Sequence, residues 1–267
     1  MKKKVTVKTY QEFKNEGRKI TMLTAYDYTM AKLVINAGVD SILIGDSLAM
    51  TMQGHSSTLP VTVDDIIYHT KMVVQANTNA LIVSDMPFLS YHVSVEDTVR
   101  NAGRIVKEGG AEAVKLEGGR NIIDQVKAII DAQIPVMGHL GLTPQSVNAF
   151  GGFKVQGRDD ENAKRILDDA LALQDAGVFS IVLEGIPEKL AKEISEQLYI
   201  PTIGIGAGKH CDGQVLVLQD MLGMYDNFVP KFVKQYANLN SVITSAVQDY
   251  IKEVQDGDFP TEEYTYK

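Results

Sequence analysis

Asp46, Asp85, Glu117, His139 and Glu184 share one feature: each closes a short apolar run that reads as a β-strand. The runs are Ser41-Ile42-Leu43-Ile44-Gly45, Leu81-Ile82-Val83-Ser84, Ala113-Val114-Lys115-Leu116, Pro135-Val136-Met137-Gly138 and Ser180-Ile181-Val182-Leu183. Apolar on both faces, they suit a buried parallel sheet. A carboxylate at a buried strand tip is costly unless something there uses it. Acids gathered in one place raise one another's pKa, and a divalent cation relieves that conflict. Asp and Glu oxygens without a cysteine cluster favour a hard ion such as Mg²⁺, which keeps waters and leaves room for substrate oxygens. The expected ligand set is Asp46, Asp85 and Glu117, from three successive strands. The plainer alternative is that Asp46 and Asp85 begin loops or cap helices.

Glu184 is the candidate general base, if apolar walls raise its pKa. A salt bridge to an Arg or Lys is the competing reading. Alternation along 113–117 places Lys115 and Glu117 on one face of their strand, with Val114 and Leu116 on the other. Lys115 could hold a substrate carboxylate, neutralise the acids or form a Schiff base. His139 is either a substrate contact or a satisfied polar group at the rim.

These side chains can meet only if the strands close on one another. Strands are expected at 20–24, 41–45, 81–84, 113–117, 135–139, 180–184, 202–205 and 214–218. Helices are expected at 28–37, 63–75, 94–108, 122–132, 160–176 and 188–197. Gly38 and Gly177 suit left-handed helix C-caps, and Ser94 an N-cap. Eight β units with short connections fit an α/β fold, a single (β/α)₈ TIM barrel spanning 1–267, with a polar, mobile tail at 256–267. Residues 206–213 are too few for a crossover helix. The seventh helix is therefore absent or one turn long, or the eighth strand lies elsewhere. Residues 228–254 read as a helix packing after strand eight. The long loops 46–62 and 140–158 fall on the functional side of such a barrel.

Composition narrows the class. The chain has 267 residues, 45% hydrophobic, and a net charge of -8, which argues against a nucleic-acid partner. Its one cysteine, Cys211, fits a reducing compartment and has no His/Asn partnership that would make it a nucleophile. No apolar run approaches the ~20 residues of a membrane span, and basic Met1-Lys2-Lys3-Lys4 precedes no apolar signal segment. A soluble cytoplasmic protein is expected. Gly204-Ile205-Gly206-Ala207-Gly208 is a weak phosphate-loop signal, with neither the dinucleotide helix nor a Lys-Ser/Thr ending. His55, His69 and His92 lack ligand spacing and read as structural.

Several stretches together resemble one family, the ketopantoate hydroxymethyltransferases. They include Thr24-Ala25-Tyr26-Asp27, Gly45-Asp46-Ser47-Leu48, Asp85-Met86-Pro87-Phe88, Val114-Lys115-Leu116-Glu117-Gly118-Gly119, Gly138-His139-Leu140-Gly141-Leu142-Thr143-Pro144-Gln145 and Lys154-Val155-Gln156-Gly157-Arg158. They run in order through nearly the whole chain; Ala49 departs from an expected glycine. The resemblance implies hydroxymethyl transfer from 5,10-methylenetetrahydrofolate to 3-methyl-2-oxobutanoate, giving 2-dehydropantoate on the pantothenate route. The route implied is Mg-assisted enolate formation followed by aldol-type addition. It places Mg²⁺ on Asp46, Asp85 and Glu117, the 2-oxo acid on Asp46, Ser47, Asp85 and Lys115, and the proton acceptor on Glu184. It implies a cytoplasmic homodecamer. The loops 49–62 and 141–158 are the expected covers of the folate pocket. Rival readings are another metal-dependent carbon–carbon lyase of the same barrel type, a phosphosugar isomerase using 204–208, and a barrel kept for binding alone.

Overall fold

The computed structural model describes residues 3–76, 79–225 and 229–267. The apolar runs become β1 (Ile20–Thr24), β2 (Ser41–Ile44), β3 (Leu81–Asp85), β4 (Ala113–Glu117), β5 (Val136–Gly141), β6 (Ser180–Glu184), β7 (Thr202–Ile205) and β8 (Gly213–Leu216). Each pairs in parallel with the next, and β8 pairs with β1. The result is the expected closed barrel. β2, β3 and β4 are buried at every residue, as strands apolar on both faces require.

The helices are α1 (Val7–Asn15), α2 (Tyr28–Ala37), α3 (Leu48–Thr51), α4 (Val63–Gln75), α5 (Val95–Arg104), α6 (Ile123–Asp131), α7 (Val147–Phe150), α8 (Asp160–Ala176), α9 (Glu188–Gln197), α10 (Leu218–Met221) and α11 (Leu239–Asp256). Local chemistry sets their ends. Thr62 and Asp65 form a capping box at the start of α4, and the Ser94 side chain accepts from Asp97 N–H to start α5. Gly38 and Gly177 end α2 and α8 at φ 93° and 99°, which a side chain would disfavour.

Several boundaries move. β2 stops at Ile44, so Asp46 lies just past its strand, whereas β5 runs through His139 to Gly141. Past Arg104, α5 widens into a π-turn over Ile105–Gly109. Among the described residues no helix joins β7 to β8, and Leu218 begins α10 instead of ending β8. The helix expected at 228–254 begins only at Leu239 and has no buried residue, so it does not pack as a core element; Phe228 lies outside the described residues. α1 was not anticipated.

The chain forms two compact units, Met1–Val217 and Leu218–Lys267. The barrel is complete within the first. Met22, Val83, Ala113, Met137, Val182 and Ile203 fill its interior. Ala113 belongs to that cluster and Val114 does not, so alternation along β4 runs as expected. Val5 and Tyr10 join the cluster, with Phe13 packed against it, so the segment leading into α1 closes the N-terminal end of the barrel. Each fully buried aliphatic side chain there contributes about 1.5–3 kcal/mol. In the second unit the tail is tied back: the Phe259 ring sits 5.8 Å from that of Tyr250 and 5.9 Å from that of Tyr264.

Candidate active site

The barrel's closure brings the C-terminal ends of β2 to β6 together. Lys115 lies opposite Asp85 and Met137 in the sheet register, and Glu117 lies opposite His139. Lys115 Nζ stands 3.1 Å from Asp85 Oδ1 and 3.1 Å from His139 Nδ1. His139 bridges two acids: Nδ1 is 3.3 Å from Glu117 Oε1, and Nε2 is 3.2 Å from Glu184 Oε2. Asp46, Asp85, Lys115, Glu117 and His139 are all buried, and Glu184 is partly so. Glu184 has as its ionic partner among the described residues a histidine, His139. Its approach is shaped by Gly141, at φ 96°, where a Cβ would lie 2.2 Å from the Glu184 carbonyl oxygen.

The acids are held from outside by N–H groups. Asp46 N–H donates to Asp85 Oδ2 at 3.0 Å. Gln145 Nε2 donates to Asp46 Oδ2 at 2.9 Å, and Gln145 N–H to Glu117 Oε2 at 3.0 Å. The second oxygens are left otherwise. Asp85 Oδ1 and Glu117 Oε1 are buried with no aligned hydrogen-bond donor, although charged neighbours lie within ion-pair range. Ser47 is further out; its Oγ shares a 2.7 Å hydrogen bond with the Tyr26 hydroxyl.

Electrostatics follow from burial and crowding. Burial, with Glu117 and Asp85 adding repulsion, holds the Asp46 carboxyl well above its ordinary value. Burial also raises Asp85, against the pull of Lys115. Glu117 ends below its ordinary value, because His139, Lys115 and the Gln145 N–H outweigh burial. For Lys115, burial is overcome by Asp85, Glu117 and Asp46, which keep the amine an ammonium. That state is a poor nucleophile, so the Schiff-base alternative loses ground. For His139, burial and Lys115 oppose a proton, but Glu117 and Glu184 prevail and push the imidazole up to about 9. The Lys115 contact at Nδ1 favours an unprotonated nitrogen, whereas the carboxylates favour imidazolium; two acids against one ammonium decide for imidazolium.

Four acids thus crowd around one amine and one imidazole, and the shortage of positive charge shows in the raised Asp46 and Asp85 carboxyls. A divalent cation fits that deficit, and the unaligned oxygens of Asp85 and Glu117 fit its preference for hard donors. Among the described residues, no group of three or more His, Cys, Asp or Glu is arranged as a ready metal site. Mg²⁺ keeps several waters and leaves positions for substrate oxygens, so it does not require a preformed cage.

Beside Glu117 a cavity of about 470 Å³ opens among the loops after β3, β4 and β5 and the helix α8; Phe88, His92, Phe150, Arg120 and Asp169 line it. Loop 141–158 contributes to its wall, and loop 49–62 does not. His92 lies on the Tyr91 ring at 4.1 Å, and His69 Nδ1 meets Tyr26 O at 2.7 Å. No helix follows Gly204–Gly208 directly, so that segment lacks the N-terminus a phosphate would need. Cys211 is buried, which raises its thiol pKa. Sequence reasoning assigned no role to Gln145 or Tyr91. A neutral amide in a loop carries no signal until closure sets it beside the acids.

Fold and site together define a (β/α)₈ barrel with a buried acid cluster at its C-terminal mouth. Two solved structures share that fold: a 2,3-dimethylmalate lyase of the PEP mutase/isocitrate lyase superfamily (TM-score 0.62, 15% identity, 98% of this chain and 92% of that one) and a phosphonopyruvate hydrolase in complex with oxalate and Mg²⁺ (TM-score 0.64, 10% identity, 98% and 92%). At such identities the likeness is one of fold alone. Residues 4–262 match the family described as ketopantoate hydroxymethyltransferase, and the chain belongs to that family. Proteins called 3-methyl-2-oxobutanoate hydroxymethyltransferase are 64% identical in Clostridium botulinum (strain Alaska E43 / Type E3) and 65% in Clostridium beijerinckii, each over 99% of this chain and 96% of the relative. The one from Clostridioides difficile is 60% identical over 98% and 96%.

Proposed function

We propose that the protein transfers a hydroxymethyl group from 5,10-methylenetetrahydrofolate to 3-methyl-2-oxobutanoate, giving 2-dehydropantoate for pantothenate synthesis. The observation that carries this is the gathering of Asp46, Asp85, Glu117, Lys115, His139 and Glu184 in one mouth, in a chain of this family. Asp46, Asp85 and Glu117 would hold Mg²⁺, which would supply polarisation of the keto group of a bound 2-oxo acid and so acidify C3. Lys115 and Ser47 fix the substrate carboxylate, with Asp46 and Asp85 alongside. Glu184 takes the C3 proton, the enolate carbon attacks the donor's methylene, and water supplies the hydroxyl oxygen as the methylene's bonds to the folate nitrogens break and tetrahydrofolate leaves. His139 Nε2 lies 3.2 Å from Glu184, so a positive imidazole there would favour the charged, proton-accepting form of that carboxylate. The folate is assigned to the cavity beside Glu117, where Phe88, His92 and Phe150 suit a flat ring. Holding both substrates there makes the encounter effectively unimolecular.

The enzyme acts in the cytoplasm as a homo-oligomer, taken as a decamer. Exposed Ile243, Val247, Tyr250, Ile251 and Val254 on α11 recur at helical spacing and support contact between copies. No helix among the described residues is long and apolar enough to cross a membrane. The test is formation of 2-dehydropantoate from both substrates with Mg²⁺ and its loss on chelation. Turnover without the folate donor, or none with it, would refute the assignment.

A further inference from the structure

We infer that Gln145 is a positioning residue that selects which carboxylate oxygens face the cation, and that Tyr91 holds Gln145 for this task. The inference rests on the Mg²⁺ reading above. Gln145 is buried at the start of the loop after β5, and both its amide N–H groups and its amide oxygen are hydrogen-bonded. One amide N–H goes to Asp46 Oδ2 (2.9 Å) and the other to Met86 O (3.0 Å). The amide oxygen accepts from the Tyr91 hydroxyl at 2.7 Å, and that hydroxyl accepts from Glu117 N–H at 3.2 Å. The backbone N–H of Gln145 reaches Glu117 Oε2 at 3.0 Å.

One residue therefore occupies an outer oxygen on each of two acids borne by different strands. The third acid is treated alike, because Asp46 N–H takes Asp85 Oδ2. Each carboxylate has one oxygen held by an N–H, and the other, beside Lys115 on Asp85 and beside His139 on Glu117, would be the one offered to a small cation. Mg²⁺ demands near-octahedral geometry, so acids free to rotate or chelate would fit it poorly. Gln145 also offsets repulsion between Asp46 and Glu117 without adding a charge. Its contacts with Met86 and Tyr91 tie the loops after β3 and β5 together at their base, so any closing motion of 147–158 leaves the acids in place. Outer partners of this kind typically carry 10–100-fold in metal affinity.

The test is Mg²⁺ binding by calorimetry, with and without 3-methyl-2-oxobutanoate, on wild type, Gln145→Leu and Tyr91→Phe, alongside thermal melts of the metal-free proteins. Gln145→Leu should weaken Mg²⁺ roughly 10–100-fold, and Tyr91→Phe by a smaller factor in the same direction. Because both act on the same acids, the double variant should lose less than the product of the single losses. A purely structural role would lower the melting temperature and leave metal affinity unchanged, which would overturn the inference. If Gln145→Leu does not fold, Tyr91→Phe alone decides: wild-type Mg²⁺ affinity in that variant refutes the clamp. A wild type that binds no Mg²⁺ fails the reading above instead, so the two failures are distinct.

Discussion

The two ends of the barrel treat charge in opposite ways. At the N-terminal end every acid that borders a strand has its own cation. Asp40 takes Arg18 at 2.6 Å, Glu112 takes Lys4 at 2.7 Å, and Asp212 takes Lys14 at 2.9 Å. Backbone N–H groups complete these acids: Thr21 N–H on Asp40, Ile82 N–H on Glu112 and Thr202 N–H on Asp212. Below them Val5, Tyr10 and Phe13 close the barrel with apolar surface. At the C-terminal end Asp85, Glu117 and Glu184 crowd around Lys115 and His139 with Asp46 close by, and all but Glu184 are buried. One end is neutralised pair by pair, as stability asks; the other keeps an excess of buried negative charge that folding disfavours. Residues that a fold keeps at a cost to itself are where function is found.

The largest effect that would sharpen the contrast lies at Glu184. Glu184→Gln should slow C3 proton exchange of 3-methyl-2-oxobutanoate in D₂O by roughly 10²–10⁴-fold while still binding Mg²⁺. Exchange at the wild-type rate, followed by NMR, removes Glu184 as the base.

At the opposite end Asp40→Asn should cost about 1–3 kcal/mol, because Arg18 and Thr21 lose a charged acceptor. Burial alone would raise the Asp40 pKa, but the hydrogen bonds from Arg18 and Thr21 prevail and lower it. Its stabilisation is then complete above the unfolded value of ~3.9 and fades as pH falls through the folded one. Melting temperatures of the variant and wild type should converge in acid; a constant gap would contradict the pairing.

Asp46→Asn tests the other side of the comparison. The charged Asp46 is penalised in the fold, so the metal-free variant should melt higher at neutral pH, by about 2–4 °C for each kcal/mol relieved. A lower melting temperature would mean that the mouth carries no electrostatic burden. The smallest effect belongs to Tyr10→Phe, which loses the hydroxyl bond to Ser41 for about 1 kcal/mol, with Mg²⁺ affinity untouched. A change in metal binding there would break the separation between the two ends.

Much of this was legible before folding. Helices α2, α4, α8 and α9 fall where the sequence places them, and side chains cap α2, α4 and α8 within a few residues of their starts. Alternation put Lys115 and Glu117 on the inner face of β4, which the register bears out. What escaped was whatever depended on a distant partner. α1 is too short and polar to announce itself, and its meaning lies in Tyr10 filling the barrel floor. The His139 contact of Glu184 was not foreseen, because His139, 45 positions away in the chain, comes beside it only across the β5–β6 pairing.

The sequence by itself determined the strands, the helices and the inventory of ionisable groups, because periodicity and capping act over a few residues. Only the tertiary structure decided which acid shares which cation, that Gln145 stands among them, and that charge is balanced at one end and left over at the other. Those are matters of distance between strands, and electrostatic energy depends on distance and burial, not on position along the chain.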